Sequence, residues 1–425
     1  MRKSIVCTYI IAFLFLHACC QQHKIEYGKI QENIKVKSDT SLSYSIYLPT
    51  KKISLVFIFF DPHGNGLMPI SLYKNIADEF GIILIGNNNS SNGTDVNIIA
   101  SNFSTLLNEI KTNYKIEERS IALWGFSGGA KAAIYNAGLN NAINYCVYGG
   151  SVTNPQNNIE LLGFNGQQDM NYTDLLSFSS QQQNNPKHFQ IEFLGKHAWP
   201  DTIIAKDAFR WFLLKKMQKK EFAIDKNLVS KSYAIYKKQV DNLILTKQYT
   251  DAFLTCNKAI HFLNNLTDIT YFNTKKSFLI AQPIFKTQVQ NFQNNFEKES
   301  KIKMQYQTDI FAKDTIYWKK EIADLWLKST TDKSGMYNRL LGFLSLAGYS
   351  YANRAFQENN IKALEQILCI YHYADPTNPE QAFMHAKLFA IKNENDNAKQ
   401  ALNEAIQLGI NTNRIENDVI LKRLQ

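Results

Sequence analysis

Residues 119–131 read Arg-Ser-Ile-Ala-Leu-Trp-Gly-Phe-Ser-Gly-Gly-Ala-Lys, and their order decides the fold. A short apolar run, Ser120–Trp124, enters Gly125-Phe126-Ser127-Gly128-Gly129, and an alanine-rich helical stretch, Gly129–Ala137, leaves it. That is G-x-S-x-G between a strand and a helix. The turn must be tight and strained for the Ser127 hydroxyl to stand clear of the backbone. Gly125 and Gly129 make room because neither carries a Cβ. The helix beginning after Ser127 aims its first N–H groups at any oxyanion formed there.

On either side of this segment, short apolar runs alternate with helical stretches. Tyr27–Ile34 and Leu42–Leu48 read as an antiparallel opening pair. Ser54–Phe60 (SLVFIFF) is a near-continuous apolar run, the pattern of a strand buried on both faces. Further strands are expected at Gly81–Gly86, Ile143–Tyr148, Asn158–Gly163 and His188–Leu194. Helices are expected at Ile70–Phe80, Val96–Thr112 and, closing the domain, Thr202–Lys220. Strand–helix repetition of this kind implies an α/β domain, here residues 25–222, with a mostly parallel central sheet and helices on both faces.

From about residue 225 the strand signals and Gly-rich turns nearly vanish. Residues 223–425 read as an all-α helical-repeat domain. Ala363, Ile367 and Ile370 recur 35 residues later as Ala398, Leu402 and Ala405, and Ala252, Cys256 and Ala259 form a similar triplet upstream. This resembles the tetratricopeptide repeat, whose small–large–small second helix lets neighbours pack closely. Asp375-Pro376-Thr377-Asn378-Pro379 fits the turn between repeats, while residues 275–335 depart from the pattern.

The chain has 425 residues, 45% apolar and 12% aromatic, enough for packed cores. Its net charge of +10 is spread over helices and turns with no compact Lys/Arg block, so nucleic-acid binding is not indicated. Residues 1–18 read as a lipoprotein signal peptide. Arg2 and Lys3 form a basic start, and Ile5–Leu16 is an apolar stretch too short to span a membrane. Leu16-His17-Ala18-Cys19 resembles the lipobox of bacterial lipoproteins. That resemblance implies lipidation of Cys19, a short tether over residues 19–24 and a place in the bacterial cell envelope, facing the periplasm or exposed at the surface. Cys146, Cys256 and Cys369 lie far apart on apolar segments and read as core residues.

Ser127 needs a base, a group to orient it, and oxyanion donors. After such an elbow the partners follow in the order acid, then His. His188 and His197 are the histidines downstream within the domain. His197 follows a strand and so reaches the sheet's C-terminal edge, where ligands gather, whereas His188 precedes the same strand and faces the other edge. Asp169 is the first carboxylate in the loop after Asn158–Gly163. Asp174 falls on the next helix, and Asp201 is too local to His197 to reach back. One oxyanion amide is expected from Gly128. The other is expected from Gly64 or Asn65, in the loop Asp61-Pro62-His63-Gly64-Asn65-Gly66. Such chemistry calls for no cofactor and no metal.

Taken together, these residues resemble the α/β-hydrolase family over residues 40–220. Asp61-Pro62-His63-Gly64 and His197-Ala198-Trp199-Pro200 are similar to the compact esterases grouped with feruloyl esterases and polyhydroxybutyrate depolymerases. The resemblance implies a lipid-anchored serine hydrolase, foremost a carboxylesterase, that forms an acyl-enzyme on small or polymer-linked esters. The chain lacks that group's disulfide-forming cysteines and adds the helical domain. A serine peptidase on the same fold is an alternative. So is an interaction protein whose repeats bind a protein partner beside a vestigial hydrolase domain.

Overall fold

The computed structural model describes residues 26–51, 55–155, 159–410 and 412–424. The signal peptide, tether and Cys19 lie outside the described residues. Strands β1 (Ile30–Val36), β2 (Asp39–Tyr47), β3 (Val56–Phe60) and β4 (Ile83–Asn87) open the chain, with helix α1 (Leu67–Phe80) before β4. Helix α2 (Val96–Tyr114) follows, then β5 (Ile121–Phe126), α3 (Gly128–Leu139), β6 (Tyr145–Gly149) and β7 (Glu160–Gly166). Helix α4 (Tyr172–Gln181), β8 (His188–Phe193) and α5 (Thr202–Gln218) complete this part. The strands form one sheet in the order β1-β2-β4-β3-β5-β6-β7-β8. Pairing is antiparallel between β1, β2 and β4, and parallel from β4 through β3 to β8. With the strained Ser127 turn directly after β5, this is an α/β-hydrolase fold, followed by a helical C-terminal region.

Every residue of β3, β4, β5 and β6 is buried, which is why their sequences are apolar runs rather than alternations. One face packs Phe57, Phe59 and Trp124 against Tyr73 of α1 and Phe209 of α5. The Trp124 ring stacks on Tyr73 at 5.1 Å and meets Phe57 at 5.4 Å. The other face packs Ile58, Phe60 and Leu123 against Phe103 and Leu106 of α2 and Ala130 and Ala133 of α3. Each such large side chain contributes roughly 1.5–3 kcal/mol on burial.

The sheet departs from the sequence reading at its strand ends, several of which run one to three residues further. Gly125, read as part of the turn, stays in register within β5, and Gly86, read as the last residue of its strand, is followed in β4 by Asn87. The reason is contact. A Cβ on Gly86 would collide with the backbone of Gly66, and one on Gly125 with the backbone of Gly129. These positions are empty so that the loop after β3 and the start of α3 can close on the sheet.

The C-terminal helices are α6 (Lys226–Leu245), α7 (Tyr249–Leu263), α8 (Thr270–Ala281), α9 (Pro283–Ala312), α10 (Thr315–Ser329), α11 (Met336–Gln357), α12 (Ile361–Ala374), α13 (Pro379–Ile391), α14 (Asn395–Gln407) and the short α15 (Thr412–Asn417). Ala252, Cys256 and Ala259 are fully buried on α7, as are Ala398 and Ala405 on α14. The small residues let α13 and α14 close on each other, burying Ala382 and Ala386 against Ala398 and Ala405. The 30-residue α9 breaks the repeat pattern, as residues 275–335 suggested. Val229 and Tyr236 of α6 and Cys256 and Phe262 of α7 belong to the same apolar cluster as Phe57 and Trp124. Residues 222 and 223 therefore mark a change of secondary structure within continuous packing. No helix of the described residues is long and apolar enough to cross a membrane.

Two histidines lie where β8 meets these helices. His188 shares a hydrogen bond with the Tyr148 hydroxyl at 2.9 Å, and burial lowers its pKa to about 4. His261 stacks on Phe189 at 4.8 Å, and its Nε2 is buried without a partner. Burial, with the charges of Lys215 and His188, lowers its pKa to about 3. Both shifts are downward, so the unfolded chain binds protons that the folded chain refuses. This share of stability is complete above the ordinary histidine value near 6.5 and is lost as pH falls through about 4 toward 3. In His261→Phe the thermal unfolding midpoint should fall less between neutral pH and pH 4 than in the wild type. An unchanged slope in scans across that range would rule His261 out as a source of acid sensitivity.

Candidate active site

Ser127 sits at φ 52° and ψ −127°, a left-handed conformation that side-chain-bearing residues rarely adopt. Its N–H donates to the Gly149 carbonyl at the end of β6, at 2.8 Å. Gly129 lies against the Phe60 carbonyl so closely that a Cβ there would collide with it. The elbow is thus wedged between the ends of β3 and β6. Gly128 and Gly129 are the first residues of α3, so their N–H groups have no acceptor in a preceding turn.

The structure brings Ser127, His197 and Asp169 together at the C-terminal edge of the sheet. His197 Nε2 lies 3.1 Å from Ser127 Oγ, and His197 Nδ1 lies 2.9 Å from both carboxylate oxygens of Asp169. Asp169 is only 2% exposed, and the imidazole 23%. The Asp169 carboxylate also accepts the Asn171 N–H at 2.8 Å, so it orients its own loop while it faces the imidazole. Asn171 in turn donates from its side chain to the Gly150 carbonyl at 2.7 Å. The Phe126 ring packs 4.8 Å from the His197 ring. Asp174 sits in the first turn of α4, and Asp201 caps α5 through the Ile203 and Ile204 amides.

The second oxyanion donor requires a correction. The Gly64 N–H donates to the Asp61 carbonyl at 3.1 Å, and the Asn65 N–H points to Asp61 Oδ1 at 3.4 Å. The His63 N–H joins Asp61 Oδ1 at 2.9 Å. The Asp61 main-chain carbonyl thus holds the Gly64 amide and its carboxylate the His63 and Asn65 amides, so both expected donors already have acceptors within the loop. Gly128 opens α3 directly after Ser127. Its α-carbon is crowded by the Asn92 carboxamide, which occupies the space a Cβ would need. Asn92 is fixed by its own N–H on the Pro62 carbonyl at 2.7 Å.

Asp61 is a residue the sequence reading passed over as part of a turn. It is 1% exposed, and its Oδ2 accepts the indole N–H of Trp199 at 3.0 Å. Burial alone would raise its pKa. Hydrogen bonds from the His63 side chain, Trp199 and the His63 amide outweigh that and hold it below the usual carboxylate range. Trp199 lies two residues after His197, so Asp61 ties the loop after β3 to the loop that carries the imidazole. A carboxylate directly after an all-apolar strand was the available signal.

No family model matches the chain, and no curated protein matches it either. Among solved structures it is similar to Est1E from Butyrivibrio proteoclasticus, with 13% identity and a TM-score of 0.36 over 44% of this chain and 99% of that one. It is similar to a carboxylesterase from Mesorhizobium loti, with 13% identity and a TM-score of 0.35 over 42% and 98%. It is also similar to Thermogutta terrifontis esterase 2 phosphonylated by cyclosarin, with 11% identity and a TM-score of 0.34 over 46% and 97%.

Replacing Asp61 by Asn keeps the shape but sets an amide N–H against either the indole or the loop amides. One buried donor then loses its acceptor, and the expected loss is about 2 kcal/mol. The check is the denaturant midpoint of Asp61→Asn with an unchanged m-value. A midpoint equal to wild type would show that the carboxylate does not tie these loops.

Proposed function

We propose that this protein is a serine hydrolase acting on carboxylic esters. The observation that carries the reading is the continuous hydrogen-bond relay from Ser127 Oγ through His197 to buried Asp169. Ser127 Oγ attacks the ester carbonyl carbon while its proton passes to His197 Nε2. Asp169 holds the Nδ1–H and stabilises the imidazolium that forms. The carbonyl oxygen becomes an oxyanion facing the Gly128 amide and the positive end of α3. Because the amides after β3 are held by Asp61, the second donor in this reading is Asn92 Nδ2, presented when the carboxamide, whose Oδ1 faces Gly128, turns over about χ2. As the tetrahedral species collapses, the alkoxide leaves with the proton from His197. Water then attacks the acyl-enzyme with His197 as base, and the acid departs.

A cleft of about 280 Å³ adjoins the elbow, lined by Ser91, Asn92, Thr94, Gly128, Lys131 and Tyr135. Its size and its mix of hydroxyl, amide and aliphatic groups suit a short acyl or alcohol portion. A fluorophosphonate probe should label the wild type and not Ser127→Ala. Equal labelling of the two proteins would reject the assignment. Asn92→Ala should still be labelled, but should hydrolyse a 4-nitrophenyl ester with kcat lower by about 10–1000-fold, the range for losing one oxyanion donor. A parallel screen of aminoacyl amides separates ester from peptide chemistry.

We also propose that the chain is anchored by a lipid on Cys19, on the strength of Leu16-His17-Ala18-Cys19. Metabolic labelling with a fatty-acid analogue should mark the wild type in a bacterial host and leave Cys19→Ser unmarked. Labelling of both would exclude this anchor.

A further inference from the structure

The acid of the triad is held from outside the sheet. The loop after β7 secures its amides on β8 and the turn behind it: Gln167 N–H on the Phe193 carbonyl and Gln168 N–H on the Gly195 carbonyl, each at 2.8 Å. The Gln167 carbonyl faces the helical region, where it accepts a hydrogen bond from Arg339 Nη1. Arg339 belongs to α11 and is 2% exposed. Its Nε and Nη2 both reach Glu299 Oε2 of α9, at 2.8 and 2.6 Å, and Nη1 also donates to the Ser334 carbonyl at 2.8 Å. Lys303 closes the cluster on Glu299 Oε1 at 2.8 Å. The guanidinium lies 4.9 Å from the ring of Tyr172, three residues after Asp169.

The backbone is shaped for this contact. Gly335 adopts φ 74°, and a Cβ there would collide with the Gln167 carbonyl. One on Gly342 would press on Met170 at 3.0 Å. Residues 335, 339 and 342 therefore set the start of α11 directly on residues 167–172, with Asp169 between the contacts. A buried ion pair of this kind adds little net stability over well-packed apolar residues. What it does add is a fixed position, since a planar fork satisfied on several sides tolerates little displacement.

We infer that Arg339 is a positioning residue for Asp169, so that the helical region completes the catalytic site. The inference rests on the triad reading above. Displacing the Gln167 carbonyl shifts the carboxylate relative to His197 Nδ1, and misplacements of about 1 Å cost on the order of 100-fold in rate.

The test is Arg339→Met in the full chain, with Glu299→Met/Arg339→Met as a second variant that removes the whole pair and so keeps the fold. In whichever is folded by circular dichroism, kcat on a 4-nitrophenyl ester should fall about 10–100-fold with KM little changed. The acidic limb of the kcat/KM profile should move to lower pH, because the carboxylate no longer supports the imidazolium. In Arg339→Ala, guanidinium at sub-denaturing concentration should restore part of kcat, and sodium chloride should not. The downfield proton resonance of the His197–Asp169 hydrogen bond, identified by its loss in Asp169→Asn, should shift or broaden in the Arg339 variants. A folded variant with kcat within about twofold of wild type and this resonance unmoved would overturn the inference and leave the hydrolase reading intact. A wild type without ester turnover, whose resonance still moves on Arg339→Met, would sink the hydrolase reading and keep the positioning role.

Discussion

The backbone at Ser127 is the constraint around which the rest is arranged. A residue with a side chain at φ 52° carries strain on the order of 1–3 kcal/mol, and nothing local removes it. It persists because the turn is pinned on two sides: by the Gly149 carbonyl of β6 and by the Phe60 carbonyl of β3 against Gly129. Those strands are held in turn by the aromatic layer around Trp124, which touches α1, α5 and the loop of His197 through Tyr73, Phe209 and Trp199. The strain at Ser127 is therefore supported by a buried aromatic layer.

The three side chains of the relay come from the ends of β5, β7 and β8, and each loop has its own tether. Ser127 is tied to β6. His197 is tied through Trp199 to Asp61 at the end of β3. Asp169 is tied inward to β8 and outward to the C-terminal helices. Breaking one partner out of a buried pair such as Arg339–Glu299 costs about 3–5 kcal/mol, because the remaining charge has no water to turn to. Helices α6 and α7 also extend the apolar core of the sheet, so the two parts of the chain share one packed interior.

What could be read from sequence followed from local rules. The elbow was legible because an apolar run, a glycine frame and an alanine-rich helix are neighbours in the chain. His197 and Asp169 were legible because chain order and strand ends leave few candidates. The amides after β3 read as free donors because the glycine pattern does not show that Asp61 holds them, Gly64 on its main-chain carbonyl and Asn65 on its carboxylate. The strand before the elbow was cut short at Gly125, where a missing side chain marked a close approach and not a turn. Arg339 gave no signal at all. Its partner Gln167 lies 172 residues away, and only folding brings the two together.

The two borders of the sheet have a consequence for the molecule in company. A free strand edge invites another chain to pair with it. At one border, α7 packs over the start of β8, where His261 and Phe262 meet Phe189, and covers that end of the edge. At the other, β1 slips register between Gln31 and Ile34 and again between Lys35 and Val36, and it carries Glu32 and Lys35. A ladder so interrupted templates poorly. Crowded copies of this protein thus offer one another one partly covered border and one interrupted border, although their sheet is among the most apolar parts of the chain.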